Sequence, residues 1–467
     1  MFVEIDRNSN ISIKKQLYDA LTYKILNKEI SAGHKMPSSR QLAEQLNIAR
    51  NTVTEIYDQL VAESYLKTHQ GRGTFVAKVG DCRLCCSDKS KPKENEKDET
   101  GDIISLIAGR PDLDSFPAKQ WIKAYRDVCD AAGRDFFDYG DINGYIPLKK
   151  SLVKYLKYHK GIYCSHQQII ITSGTKHAVS LISLALKNYF GKVIIESPSV
   201  DFISKTFKLN SYSIVPAKTD KDGLMVESIS EDTPSLLYTS PAHQFPKGGT
   251  LPICRRQKLI DFALQNGHII LEDDYDSEFR YKGAPVNSLF QLSSENVIHL
   301  GSFSKTLSPA LRLGYMVIPE RLLDIFNIYQ STAGNPVNTI NQAVLNALIE
   351  NGVYENHIYK MTKIYKAKMK ALTQNLDDAF NGNIKINGCS IGLHVSVEFI
   401  GVSFSREHKS VFIDYGIDVE MISEYNIEKS SNICNTIIIG FGHLPIEQIA
   451  EAVHRLQKAI DRIKSTK

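Results

Sequence analysis

One lysine stands in a setting that suits covalent chemistry. Gly301-Ser302-Phe303-Ser304-Lys305-Thr306-Leu307 follows a short apolar run, Val297-Ile298-His299-Leu300, that reads as a buried strand, and Arg312 comes seven residues after the lysine. An amine at a strand end can condense with an aldehyde to give an imine, while neighbouring hydroxyls and a guanidinium hold a phosphate. The pattern points to an aldehyde cofactor that carries a phosphate group. Two other strand ends are compatible with it. Ser173-Gly174-Thr175 follows the apolar run 168–172 and opens a helix over 176–186; the free N–H groups of a helix N-terminus suit a phosphate. Glu272-Asp273-Asp274-Tyr275 ends a further run. A buried carboxylate there could pair with a protonated pyridine nitrogen, and the tyrosine could bond a phenolate oxygen. Taken singly, the first is an ordinary strand-to-helix turn and the second an acidic cluster of the kind that caps helices or binds metals.

These residues need a scaffold. Apolar runs at 168–172, 192–196, 235–239 and 268–272 alternate with helical stretches, which indicates an α/β body with a mostly parallel sheet covered on both faces. In such a sheet ligands bind at the carboxyl ends of the strands, where the informative residues sit. The chain has 467 residues, 42% hydrophobic and 23% charged, too long for one simple core, so two or three domains are expected. No stretch is long and apolar enough to span a bilayer. The opening Met1-Phe2-Val3-Glu4-Ile5-Asp6 has no basic region followed by an apolar core, so no signal peptide is expected. The eight cysteines form no disulfide framework; reduced cytoplasmic thiols are the expectation. Cys82, Cys85 and Cys86 cluster, but one C-x-x-C-C without a second pair falls short of a zinc site, and no metal is expected.

The first 76 residues differ in kind. Ile13, Leu17, Leu21 and Ile25 are spaced for a helix. Ser38 caps a short helix, 39–46, with Gln41 placed for a capping box. After a turn at 47–49 a third helix runs from about Arg50 to Glu63, with Val53, Ile56, Tyr57 and Leu60 on its apolar face. Two short helices joined by a tight turn make a helix-turn-helix, whose second helix reads base edges. Residues 65–76 read as two strands around Gly71-Arg72-Gly73, a wing whose arginine can enter a minor groove. Bulk charge does not announce this role. Ten Lys/Arg against eight Asp/Glu leave about +2 in the segment, and the whole chain carries +4, so DNA binding rests on the motif. Residues 77–102 include Asp88-Lys89-Ser90-Lys91-Pro92-Lys93-Glu94-Asn95-Glu96-Lys97-Asp98-Glu99, which has no apolar period; a mobile linker is expected, a solvated helix being the alternative.

The joint pattern Pro37-Ser38-Ser39-Arg40-Gln41-Leu42-Ala43, Arg50-Asn51-Thr52-Val53, and Gly71-x-Gly73-Thr74-Phe75-Val76 resembles the winged helix of GntR-type transcription regulators. The resemblance implies that Ser39, Arg40, Arg50, Asn51, Thr52 and the wing's Arg72 or Thr74 approach double-stranded operator DNA. Residues 103–467 resemble fold type I pyridoxal-phosphate aminotransferases, a body with a smaller α+β C-terminal subdomain. That likeness makes Lys305 the Schiff-base lysine. It pairs Asp273 with the pyridine nitrogen (Asp274 being the register alternative) and Tyr275 with the phenolate oxygen. Gly174, Thr175, Ser302, Ser304 and Arg312 would surround the phosphate. Tyr139, in Asp138-Tyr139-Gly140-Asp141-x-x-Gly144, resembles the tyrosine that reaches the phosphate of a partner subunit, which implies a homodimer. A winged helix (1–76), linker (77–102) and aminotransferase-like body (103–467) together resemble the MocR (GabR-like) regulators, as does Ser240-Pro241-Ala242-His243-Gln244-Phe245-Pro246-Lys247-Gly248.

The sequence also departs from the aminotransferase pattern. The ring expected to stack on the cofactor falls at Val200, with Phe202 nearby. Phe245 replaces the usual asparagine. No arginine occurs in Thr436-Ile437-Ile438-Ile439-Gly440-Phe441, where enzymes carry the one that grips a substrate carboxylate; Lys205 or His443 could substitute. A guanidinium is the strongest carboxylate clamp. The expectation is therefore a cytoplasmic regulator that senses pyridoxal phosphate, or an amine reacting with its imine, rather than an enzyme that turns over. The alternatives are an active aminotransferase with a DNA-binding head, and a body that has lost the cofactor and only dimerises.

Overall fold

The computed structural model describes residues 5–7, 9–78, 103–284, 286–334, 337–428 and 433–465. The chain divides into two compact units, Met1–Glu99 and Thr100–Lys467. Most of the expected linker, including the cysteine cluster at 82–86 and the charged run 88–99, lies outside the described residues.

In the first unit, helices Ile13–Leu26, Ser39–Leu46 and Arg50–Ala62 precede a hairpin of Leu66–His69 and Gly73–Val76. Leu17, Leu21, Ile25, Leu42, Val53, Ile56, Tyr57, Leu60, Leu66 and Val76 form its core, the set that helical and strand spacing place inward. The first helix spans its whole apolar pattern and ends at Leu26, two residues before Lys28 adopts a positive φ of 61°. The capping box forms: Gln41 N–H donates to Ser38 Oγ at 3.3 Å, and Gln41 Oε1 lies 3.0 Å from the Ser38 N–H. Asn47, at φ 52°, closes that helix in the left-handed conformation, which asparagine tolerates. The Tyr57 hydroxyl donates to the Pro37 carbonyl at 2.9 Å and so fixes the third helix against the start of the second. The hairpin does not stand alone. Met36 N–H donates to Thr74 O, Val76 N–H to His34 O, and Gly33 N–H to Val76 O, so the loop before the second helix lies along the wing's open edge. Ala77 is buried and its N–H reaches Tyr65 O, carrying the ordered head one residue past the hairpin.

The second unit is built on an eight-stranded sheet. Its order is Ile169–Thr172, Gly314–Val317, Val297–Ser302, Ile269–Asp274, Leu236–Thr239, Lys192–Ser197, Ser213–Asp220 and Gly223–Leu224. The third to seventh of these are mutually parallel, while Gly314–Val317 runs antiparallel to both neighbours. Both faces are covered by apolar clusters, one holding Ile171, Ile194, Leu237 and Ile270, the other Ile170, Ile195, Tyr238 and Leu271. That explains the near-continuous apolar strands. A second, antiparallel sheet orders Ile384–Asn387, His394–Phe399, Thr436–Gly440 and Glu420–Met421. Helices Val353–Phe380 and Gln448–Ser465 pack on one of its faces, against Val395, Val397, Phe399, Ile437 and Ile439. This is the smaller α+β subdomain, and Ile104–Ser105 joins it by pairing with Ile417–Asp418.

The capping box makes a measurable claim about the head. Ser38→Ala removes an acceptor for Gln41 N–H and is expected to cost about 1 kcal/mol. Native-state hydrogen exchange should show that loss in the amides of Ser39–Leu46 first; unchanged protection there would contradict the assignment.

Candidate functional site

The site is assembled at the carboxyl ends of Ile269–Asp274 and Val297–Ser302, neighbours in parallel register with Leu300 opposite Asp273 and Gly301 opposite Asp274. Side chains alternate across a strand, so successive carboxylates face opposite ways. Glu272 accepts from Leu289 N–H at 2.7 Å and from Ser288 Oγ, and lies 3.0 Å from His299 Nδ1; it anchors the Leu289–Leu292 helix. Asp274 accepts from Lys160 Nζ at 2.7 Å, and the same ammonium reaches Glu278 at 2.8 Å. Burial alone would raise the Asp274 carboxyl, but the Lys160 charge overrides it and holds it down to about 2. Asp273 faces the other way. Its Oδ2 takes the Tyr238 hydroxyl at 2.6 Å, while Oδ1 is buried with no partner. Burial pushes this carboxyl up to about 7, against the Tyr238 hydrogen bond. Asp274 also leaves one oxygen, Oδ1, without a hydrogen-bond partner, so what separates the two registers left open by the sequence is face and charge: Asp274 is tied to the Lys160 ammonium, while Asp273 lies where its charge reaches Lys305.

The Lys305 amine donates to the Gly109 carbonyl. Burial pushes it below the ordinary lysine range, opposed by Asp276 and then Asp273. Ser302 ends its strand, and its Oγ accepts from Ser304 N–H at 3.2 Å. Arg312 follows the turn Pro309–Leu311 in the left-handed conformation, φ 53°. It lies near the first turn of Thr175–Ala185, since its charge, after burial, lowers the proton affinity of His177. Gly174 is that helix's N-cap at φ 107°, and a Cβ added there would meet nothing within 4 Å. Lys305, Ser302, Ser304 and Arg312 thus occupy one turn-rich segment, with Arg312 near enough to the first turn of Thr175–Ala185 for its charge to reach His177. Tyr139 is not drawn in: its side chain is fully exposed.

Tyr275 donates from its hydroxyl to the His243 carbonyl at 2.9 Å. Phe245 sits among aromatic rings, 5.0 Å from Tyr425, 5.1 Å from His394 and 6.4 Å from Tyr275. Sequence reasoning missed several partners: Tyr238, Asp276, His394 and Glu196. Glu196 is buried among Thr239, Ser240 and Gln244, and burial raises its carboxyl despite those donors. His243, Asp276 and His394 bring ligand-type atoms within 4.8 Å of one another. They come together only where the segment after Asp274 meets loops 243–249 and 388–394; the polar residues before Pro246 were the one local signal.

The residues fit a phosphorylated pyridoxal. A buried carboxylate oxygen lacks a donor, a glycine-capped helix start is open, and a part-buried amine of lowered proton affinity follows the end of the neighbouring strand. The expected grip on a substrate carboxylate is missing. On the small sheet, Val395, Val397, Ile437 and Ile439 face the helices, so His394, Ser396, Glu398, Thr436, Ile438 and Gly440 take the other face. Ser396 Oγ there reaches Lys247 O at 3.0 Å, so that face meets the large subdomain and carries no arginine on these two strands. Neither substitute is poised. Lys205 is exposed and ion-paired to Asp201 one turn away. His443 Nε2 donates to Ser105 O at 2.8 Å. Phe202 packs on the core under the Lys176 ammonium, 5.4 Å away.

In the head, Arg40, Arg50, Asn51 and Arg72 are exposed, and Ser39, Thr52 and Thr74 are half-buried. Thr74 Oγ1 lies 3.3 Å from Thr68 Oγ1 across the wing, and Arg40 Nε is 3.5 Å from Glu44. Lys35, not singled out by sequence, bridges to Phe75 and lies beside Gly73 at the wing.

Comparison with known proteins agrees with both halves. Residues 13–76 match the gntR family of bacterial regulatory proteins, and residues 101–399 match aminotransferase class I and II. The chain is 30% identical over 458 residues, 97% of each chain, to the uncharacterized HTH-type transcriptional regulator YhdI of Bacillus subtilis. The chain belongs to the MocR-like subfamily of GntR regulators. It is also 29% identical over 450 residues, 94% of each chain, to the HTH-type pyridoxine biosynthesis transcriptional regulator PdxR of Corynebacterium glutamicum. Among solved structures it is similar to the multiple substrate aminotransferase of Thermococcus profundus, at TM-score 0.73 and 25% identity, covering 79% of this chain and 94% of that one. It is an HTH-type transcriptional regulator with an aminotransferase-like domain on the fold type I scaffold. No helix among the described residues is long and apolar enough to cross a membrane.

The two aspartates should separate by experiment on cofactor-free protein. Unfolded, Asp273 ionises near the ordinary 3.8; folded, it keeps its proton to about 7. The native state binds more protons across that window, so this group's contribution to stability falls as pH rises through it. Asp273→Asn is expected to flatten that decline in thermal midpoint. Asp274→Asn leaves Lys160 with Glu278 alone and should cost about 3 kcal/mol in chemical denaturation. The opposite ranking would overturn the register.

Proposed function

We propose that this regulator holds pyridoxal phosphate at Lys305 and changes its binding to double-stranded operator DNA when the cofactor, or an amine that reacts with it, occupies the site. The observation that carries the reading is the bare, buried Asp273 Oδ1 near the part-buried amine of Lys305. In this reading Asp273 meets the pyridine nitrogen and Tyr275 the phenolic oxygen. Gly174, Thr175, Ser302, Ser304 and Arg312 hold the phosphate. Tyr139, exposed in one subunit, reaches the cofactor of the other in a homodimer. When bound, pyridoxal phosphate supplies an aldehyde that takes an amine and a ring that withdraws electrons. The chain's own residues prepare the site: burial keeps the Lys305 amine toward its neutral, nucleophilic form, and Asp273 keeps a proton at the ring nitrogen.

Sensing is favoured over turnover by the small-sheet face, where no guanidinium stands to grip a carboxylate. The relative named for pyridoxine biosynthesis supports the cofactor itself as a signal. An active class-I aminotransferase is the second reading, favoured by the complete set of Lys305, Asp273 and Tyr275. DNA contact falls to Ser39, Arg40, Arg50, Asn51, Thr52, Arg72 and Thr74, with Lys35 added from the structure. Such a protein works in the cytoplasm, where the operator is.

Borohydride reduction after incubation with pyridoxal phosphate, followed by peptide mapping, is expected to place an adduct on the Lys305 peptide; an adduct elsewhere, or none, sinks the proposal. Lys305→Ala should still shift the chain's own upstream DNA in a gel, with the same affinity whether or not cofactor is present. For the head, Arg50→Ala should weaken operator binding. If the contact is to phosphate, it should also lower the salt dependence by about one unit of log–log slope. Wild-type binding by that variant would remove Arg50 from the interface.

A further inference from the structure

Tyr275 is held by groups that the cofactor reading does not use. Its hydroxyl donates to the His243 carbonyl at 2.9 Å and lies 3.2 Å from His243 Nδ1, and the two rings stack at 5.7 Å and 26°. His243 Nδ1 meets both Asp276 oxygens, at 2.9 and 3.0 Å. A carboxylate facing Nδ1 places the ring proton there and fixes the ring's orientation. The pair is 2% and 1% exposed, so water does not compete for these bonds. Asp276 Oδ2 also accepts from the Leu393 N–H at 3.3 Å, and His394 stacks on His243 at 4.5 Å and 29°. The seam has no slack, because a Cβ added at Gly392 would collide with both His243 and Asp276. The other ionisable groups whose charges are felt here are Lys305, Asp273, Glu196 and Asp274.

We propose that the His243–Asp276 pair positions the Tyr275 hydroxyl and ties it to the small-subdomain strand that begins at His394. The proposal rests on the reading in which Tyr275 faces the cofactor's phenolic oxygen, and it adds what holds the hydroxyl and what moves it. Both are positioning residues. They act on the cofactor through Tyr275, whose hydrogen bond weakens steeply with distance and angle. A displacement of Leu393 and His394 reaches that hydroxyl through two hydrogen bonds and one ring stack, so the site's electronic state reports where the small sheet stands.

The test is the pH titration of the bound cofactor's visible absorption in wild type, Tyr275→Phe, His243→Ala and His243→Asn. Asparagine offers Asp276 an amide N–H in place of Nδ1–H. Tyr275→Phe is expected to move the midpoint by about half a pH unit or more, His243→Ala to move it the same way by a comparable amount, and His243→Asn to stay near wild type. A midpoint that answers to Tyr275→Phe but not to His243→Ala overturns the proposal, as does an asparagine variant as displaced as the alanine one. If His243→Ala does not fold, NMR of histidine-labelled wild-type protein decides: His243 must carry its proton on Nδ1, and an Nε2 tautomer overturns the proposal. Wild-type protein that stays colourless with cofactor sinks the cofactor reading and this proposal together, a result distinct from a coloured protein whose midpoint ignores His243.

Discussion

The pleat of one strand organises the body. Along Ile269–Asp274 three consecutive carboxylates alternate between faces, and two of them are consumed by structure: Glu272 by His299 and the start of a helix, Asp274 by the buried Lys160. That commitment leaves Asp273 alone on the opposite face, with one oxygen on Tyr238 and the other bare. A one-residue slip in pairing with Val297–Ser302 would exchange these roles. It would turn the carboxylate now bound to Lys160 toward Tyr238, and it would strand Lys160 in the core, where an unpaired charge is costly. The ion cluster on one side of the sheet and the polar site on the other specify the same register.

Local signals were readable where the physics is local. The capping box at Ser38 and Gln41, the turn at 47–49, the inward set Val53, Ile56, Tyr57 and Leu60, and the strand runs all depend on neighbours within a few residues, and each stands close to where the spacing places it. The identity of the pyridine partner was not readable, because Asp273 and Asp274 differ only in which face their strand shows to Lys160, a residue more than a hundred positions away. Asp276 and His394 were invisible for the same reason, and His243 showed only as one residue of the run before Pro246: the three meet where distant loops face a second sheet. Tyr139 is readable as a motif and unexplained within one chain, since its side chain touches little of its own subunit.

The replacement of asparagine by Phe245 gains a meaning from its surroundings. Its ring fills a box of Tyr275, His394 and Tyr425, joining residues of the large subdomain to residues of the small one. A polar contact to a ligand has given way to packing between the two halves. The opposing sheet face lacks an arginine, so these positions offer packing between subdomains in place of polar groups. That balance is in keeping with the proposed sensing role.

The wing of the head is laced along its free edge by the loop carrying His34 and Met36. A two-stranded ribbon without such lacing is marginal in water; here hairpin, loop and third helix share one core. The DNA-reading surface is therefore a stamp rather than a pair of fingers. It has one shape to offer, and under the proposed function a signal would act on where the stamp is pressed and how firmly rather than on its face.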